Sequence, residues 1–232
     1  MEQTSSLSVI SGRKQERLNS GLADAISSRK YNVIMCLAIM WGFLVNAVMV
    51  EYLSVPMMNL VLKMGALGFF LAYLACAIIG ILMSAKSSNP FVSFIGYNLL
   101  VLPMGVVLCV LIPGLPAQVV TKAMLLTGIV TATMTLLGLV KPEIFLGLGR
   151  TLFIALLVGI VAELIATFAF HYTGTAFDWL FVILFSGYIG YDVARSQAFP
   201  KTVDNAIDCA LDIYLDIIYI FIRLLSLLSR ES

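Results

Sequence analysis

Acidic residues recur where an apolar chain can least accommodate them. In the stretch Thr202-Val203-Asp204-Asn205-Ala206-Ile207-Asp208-Cys209-Ala210-Leu211-Asp212-Ile213-Tyr214-Leu215-Asp216, an aspartate occupies every fourth position. On a helix each step of four advances about 40° around the axis. Asp204, Asp208, Asp212 and Asp216 therefore wind as one slowly drifting stripe. A charge deep in a bilayer is costly, so such a stripe is expected to line a crevice between helices rather than face lipid. Asp192 and Glu163 lie in similarly apolar surroundings.

These types and spacings point to ion and proton chemistry. Two carboxyl groups sharing a dry site cannot both ionise cheaply and titrate as a unit. A cation entering the site reverses that penalty, so protons and cations compete for it. Calcium takes six to eight oxygen ligands. Two carboxylates with tyrosine hydroxyls, carbonyls and water suit transient coordination better than tight storage. Asp204 and Asp208 also fall in the first turns of a helix capped by Thr202, where the dipole favours negative charge. Asp212 and Asp216 lie too deep for that role, and a structural hydrogen bond to a neighbouring helix is their alternative. Glu163 is a pathway acid or an interhelical hydrogen-bonding group. Glu51, Lys63 and Asp178 lie close enough to helix ends to reach the interface.

The elements that carry these acids are membrane spans. Of 232 residues, 61% are hydrophobic and 12% charged, against roughly 25% charged in soluble domains; the mean hydropathy is +1.02. Stretches of about 20 apolar residues cross a hydrocarbon core. Seven are present, near Val33–Tyr52, Leu60–Met83, Phe91–Ile112, Ala117–Val140, Gly149–Phe170, Phe177–Ala194 and Ile207–Leu228. Breaks are expected at turn chemistry: Ser54-Val55-Pro56, Ser87-Ser88-Asn89-Pro90, Pro113-Gly114-Leu115-Pro116, Lys141-Pro142-Glu143, Thr173-Gly174-Thr175 and Pro200-Lys201-Thr202. The fold expected is an all-α integral membrane protein with seven transmembrane helices. Residues 1–30 form a polar cytoplasmic arm, and residues 31–232 form the single transmembrane domain.

Lysine and arginine set the orientation. With the N-terminus in the cytoplasm, the inner side holds Arg13, Lys14, Arg17, Arg29, Lys30, Lys86, Lys141, Arg150, Arg195 and Lys201, and the outer side holds Lys63, Lys122, Arg223 and Arg230, ten against four. An odd number of spans then puts the C-terminus outside, unless the last segment is re-entrant. No cleavable signal sequence is expected at the polar N-terminus.

Other chemistries are excluded. A net charge of +1 supplies no basic field for nucleic acid. Cys36, Cys76, Cys109 and Cys209 form no metal or disulfide spacing. His171 is the only histidine, without a nucleophile or metal site beside it, so an intramembrane hydrolase is set aside. No enzyme activity and no resident cofactor are expected. Thr127, Thr131 and Thr135 read as helix packing, Gly187 and Gly190 as sites of close backbone approach, and Pro103 as a kink or hinge.

Two stretches resemble the Bax inhibitor family (transmembrane Bax-inhibitor-motif proteins), in its bacterial branch. They are Phe185-Ser-Gly-Tyr-Ile-Gly-Tyr-Asp192 and Ala210-Leu-Asp-Ile-Tyr-Leu-Asp216-Ile-Ile-Tyr-Ile-Phe221. Antiparallel packing of the last two helices brings Asp192 to the depth of Asp212 or Asp216; the family pattern favours Asp216. The resemblance implies a seven-helix fold around a closed pathway in the bacterial inner membrane. It also implies a pH-sensitive calcium leak gated by protonation of the pair Asp192 and Asp216, which would hold calcium transiently. Asp212, Asp208 and Glu163 are candidates for additional pathway acids, with the structural roles given above as their alternatives. Three departures stand out: Tyr219 replaces an asparagine, Ser226 replaces a basic residue with Arg223 as the nearest substitute, and a basic cluster after the second helix is reduced to Lys86. The alternatives are a regulator that binds another membrane protein, such as a membrane protease, through the N-terminal arm, and a proton/cation exchanger using the same acids.

Overall fold

The computed structural model describes residues 25–172 and 174–230. The polar arm up to residue 24, with Arg13, Lys14 and Arg17, lies outside the described residues, and so does Thr173. All regular structure among them is helical: α1 (Ser28–Lys86), α2 (Pro90–Leu111), α3 (Ala117–Val140), α4 (Pro142–Phe170), α5 (Ala176–Ala198) and α6 (Val203–Ser229). The first five of these are long and apolar enough to cross a membrane. Their flanks expose large apolar side chains such as Leu37, Leu62, Leu125, Val158 and Ile183, as a bilayer environment requires.

Most helix boundaries follow local chemistry. Ser27 caps α1 by accepting from the Lys30 amide. Asn89 accepts from the Phe91 amide, with Pro90 at the first helical position, where its missing N–H is no loss. Thr202 Oγ1 accepts from the Asn205 amide at 3.1 Å and starts α6. The expected break at Ser54-Val55-Pro56 does not occur. Helix α1 continues through Pro56, and the Ser54 hydroxyl bonds the Val50 carbonyl; hydroxyl side chains commonly satisfy backbone around a transmembrane proline. The chain breaks instead at Gly65 (φ 73°, ψ 161°), a conformation essentially reserved for glycine. Helix α4 also begins at Pro142 rather than at Gly149, and α2 carries Pro103 without interruption of the helix.

The chain divides into two compact units. The first contains α1, α2 and the chain from Phe199 to Leu211. Helices α1 and α2 meet at Gly80 and Gly96, where a Cβ on either would lie 2.7 Å from the other's carbonyl oxygen. The Tyr97 hydroxyl donates to the Ala38 carbonyl at 2.7 Å, and the Trp41 indole donates to Asn98 at 3.1 Å. The Ile26 amide donates to the Lys201 carbonyl at 2.7 Å, and the Lys201 ammonium sits 4.5 Å from the centre of the Tyr31 ring. Burial holds that ammonium below its ordinary pKa range.

The second unit contains α3, α4, α5 and α6 from Asp212 onward. Its core gathers Leu152, Phe181 and Leu184, with Phe185, Tyr188 and Tyr191 packed against it. Helices α3 and α5 touch backbone to backbone at Gly138 and Gly190, where a Cβ on Gly138 would lie 2.6 Å from the Gly190 carbonyl oxygen. That is the close approach expected of Gly190.

Gly65 is a direct test of the break. Nothing lies within 4 Å of the position a Cβ would take there, so Gly65→Ala meets backbone strain alone. The expected loss is about 1–3 kcal/mol, read as a lower thermal unfolding temperature in detergent. An unchanged temperature would show that the turn does not need glycine.

Candidate functional site

The four aspartates of α6 meet three kinds of partner, divided between the two units: serine hydroxyls, a guanidinium and a second carboxyl group. In the first unit Asp204 and Asp208 are 5% and 2% exposed. Ser93 of α2 donates its hydroxyl to Asp204 Oδ1 at 2.6 Å, and Ser84 of α1 donates to Asp208 Oδ1. Asp204 does stand in the first turn of α6. Its carboxylate nevertheless points to a neighbouring helix, so the dipole is only part of its support. Hydroxyl donors let both carboxyl groups stay buried without a lost hydrogen bond.

In the second unit the acids converge. Arg195, one turn after Asp192 on α5, places its NH2 group 2.9 Å from Asp192 Oδ1 and 2.6 Å from Asp212 Oδ2. The same guanidinium lies 5.2 Å from the centre of the Tyr191 ring. Asp216 is in side-chain hydrogen-bonding contact with Asp192. A hydrogen bond between two carboxyl groups needs a proton on one of them. Oδ2 of Asp216 is buried and no donor among the described residues reaches it, so it is an acceptor that a shared proton or a cation would satisfy. Tyr188 lies close enough to both acids to feel their charge. Glycine makes room for this arrangement: the Gly190 Cα is covered by the Phe145 ring, and that of Gly149 by the Tyr191 ring.

Asp192 and Asp216 are thus brought together, as are Asp192 and Asp212 through Arg195. Asp208 and Asp204 sit in the first unit with serines. Glu163 belongs to a separate cluster: Arg223 grips it with two parallel hydrogen bonds of 2.6 and 2.8 Å and reaches Asp178 Oδ1 at 3.0 Å. Ser226 donates to Asp178 Oδ2 at 3.1 Å, and Arg230 lies 3.7 Å from the same oxygen. Glu51 and Lys63 are exposed, but Asp178 is only 4% exposed. Its expected place at the interface is therefore corrected: a carboxylate with three polar partners has no need to reach water.

Sequence reasoning missed two arginines. Arg195 and Arg223 were counted as positive charges on opposite sides of the membrane, whereas each bridges two acids. The available signal was spacing: Arg195 follows Asp192 by three residues, the separation that puts two side chains on one helix face. For Arg223, sixty residues from Glu163, no local signal exists. Tyr219, which departs from the family pattern, stacks on Phe185 at 5.0 Å with an interplanar angle of 11°. Among the described residues no group of three or more His, Cys, Asp or Glu side chains could hold a metal ion.

The sequence profile of a family described as "Inhibitor of apoptosis-promoting Bax1" matches residues 28–232. Two Helicobacter pylori proteins, both described only as uncharacterized, are similar. One is 30% identical over 172 residues, covering 71% of each chain. The other, from a second strain, is 34% identical over 119 residues, covering 49% of each. No solved structure matches the chain.

Arg195→Gln would leave Asp192 and Asp212 without their shared cation. Breaking a largely buried pair of this kind costs about 3 kcal/mol. The loss is expected at neutral pH and should shrink in acid, where the acids take up protons. Thermal unfolding of both proteins at the two pH values reads this directly, and an equal loss at both would show that charge is not the reason.

Proposed function

The chain belongs to the Bax inhibitor family over residues 28–232, and on that premise we propose that it is a pH-sensitive cation leak, carrying calcium across the bacterial inner membrane. Protonation of the pair Asp192 and Asp216 gates it. The observation that carries this reading is the contact between these two carboxyl groups beside a third acid, Asp212, with the buried Oδ2 of Asp216 lacking a donor. Such a site holds either a proton or a cation. A calcium ion would take its oxygens from Asp192 and Asp216 and complete its shell with tyrosine hydroxyls, carbonyls or water. To enter, it must displace the shared proton and draw Asp192 partly away from Arg195. That competition makes passage transient and dependent on pH.

The proposed topology has seven crossings and a cytoplasmic N-terminus. Helix α1 is long enough for two crossings joined at Gly65, α2 to α5 supply four, and α6 supplies the seventh. Arg195 and Arg223 are engaged by carboxylates and carry no topological weight. With Arg230, which also meets Asp178, set aside as well, the remaining bias is nine lysines and arginines inside against two outside, still the sense required by the positive-inside rule.

The test is calcium flux into reconstituted vesicles across pH. Wild type is expected to show a pH-dependent flux that needs no counter-ion. Asp216→Asn and Asp192→Asn should each flatten the profile. Unchanged profiles in both variants would sink the gating role, and a strict need for a counter-transported ion would replace leak by exchange.

A further inference from the structure

Arg223 ties three helices together at the end of the second unit away from Asp192. Its guanidinium forks onto Glu163, in the last third of α4, and reaches Asp178, the third residue of α5. Ser226 and Arg230 of α6 add two more contacts to Asp178. On α5, Asp178 and Asp192 are fourteen residues apart, about 21 Å along the axis. The pair α5 and α6 therefore carries an arginine held by two acids at each end.

Aromatic rings fill the space between. The Arg223 guanidinium lies 4.5 Å from the centre of the Phe181 ring. Phe181 and Phe185 stack at 6.2 Å, Phe185 and Tyr219 at 5.0 Å, and Phe185 meets Tyr188 at 6.0 Å. Tyr188 in turn lies within electrostatic range of Asp192 and Asp216. Packed rings transmit a displacement because the core is close-packed rather than fluid.

We propose that Arg223, held by Glu163 and Asp178, is a latch that pins the last turns of α6 to α4 and α5 and keeps the pathway through the second unit closed, acting on the Asp192–Asp216 site through the column Phe181, Phe185, Tyr188 and Tyr219. The forked geometry is specific to a guanidinium. It holds α6 in rotation as well as position, which a point charge does not. Once the fork opens, the C-terminal turns of α6 lose their ion pair to α4, and Phe181 loses the cation seated on its face. The effect on flux rests on the cation-leak reading above; the effect on α6 itself does not.

Two measurements on the full chain keep these apart. The first is calcium flux in reconstituted vesicles at neutral pH. Arg223→Gln should raise it about fivefold or more, within the range of ordinary coupling energies, and Glu163→Gln should raise it less, because Asp178 still holds the guanidinium. The double variant should not exceed Arg223→Gln, since both remove the same contact. The second is hydrogen exchange of residues 219–229, expected to speed up in Arg223→Gln relative to wild type. Should Arg223→Gln fail to fold, Glu163→Gln and Arg223→Lys carry both readouts. Folded variants with wild-type flux and wild-type exchange would overturn the latch. If wild type conducts at no pH, the leak reading fails by itself, and exchange alone decides: faster exchange supports the latch and unchanged exchange removes it.

Discussion

A carboxyl group taken into an apolar helix bundle must be met by a donor, a counter-charge or a proton, because leaving it bare costs more than most packing contacts return. Helix α6 carries four such groups in thirteen residues, from Asp204 to Asp216, and the neighbouring helices answer each one. Ser93 and Ser84 present neutral hydroxyls to Asp204 and Asp208 in the first unit. Arg195 presents a cation to Asp212, and Asp192 presents a second acid to Asp216 in the second unit. A hydroxyl fixes a carboxyl group in place with little change of charge. A guanidinium and a second acid gather several ionisable groups at one place. The chemistry of the chain is therefore concentrated where α6 enters its second unit.

Close backbone contact makes those meetings geometrically feasible. Between apolar helices in lipid there is no hydrophobic drive to associate, and small residues supply the close packing that replaces it. Gly80 and Gly96 set α1 against α2 within reach of Ser84 and Ser93, while Gly138 and Gly190 set α3 against α5 two residues before Asp192. A side chain at Gly138 or Gly96 would meet backbone rather than a yielding side chain. Both acid-bearing regions of α6 thus rely on a glycine contact made by other helices.

The sequence showed the acids and the turns far better than it showed their partners. Asn89-Pro90, Pro116, Pro142 and Thr202 act on the backbone next to them, so they could be read without a structure, and helices begin at or just after them. Pro56 misled because a membrane helix can absorb a proline when a hydroxyl nearby covers the freed backbone. Gly65 is silent in a run as apolar as Leu60–Leu71, since nothing local distinguishes a glycine that must turn from one that packs. The stripe from Asp204 to Asp216 was legible from period alone. Its partners were not, because Ser84 and Asp208 lie 124 residues apart and Glu163 and Arg223 lie 60 apart. Asp178 looked like an interface residue for the same reason: burial by a distant helix leaves no trace in the neighbouring sequence.

The contrast between α6 and the other helices bears on how the fold is reached. Helices α1 to α5 are apolar enough to enter a bilayer on composition alone. Helix α6 is not, since its aspartates and Arg223 would each add about 2.5–3.5 kcal/mol at the centre of an isolated span. Those penalties vanish only as Ser93, Ser84, Arg195, Asp192 and Glu163 come within reach. The helix that carries the acids is therefore stabilised by tertiary contacts: its aspartates and Arg223 are satisfied in the company of the helices that complete their sites. A helix held this way depends on a small number of polar contacts rather than on hydropathy, so the loss of any one of them acts on the placement of the helix itself.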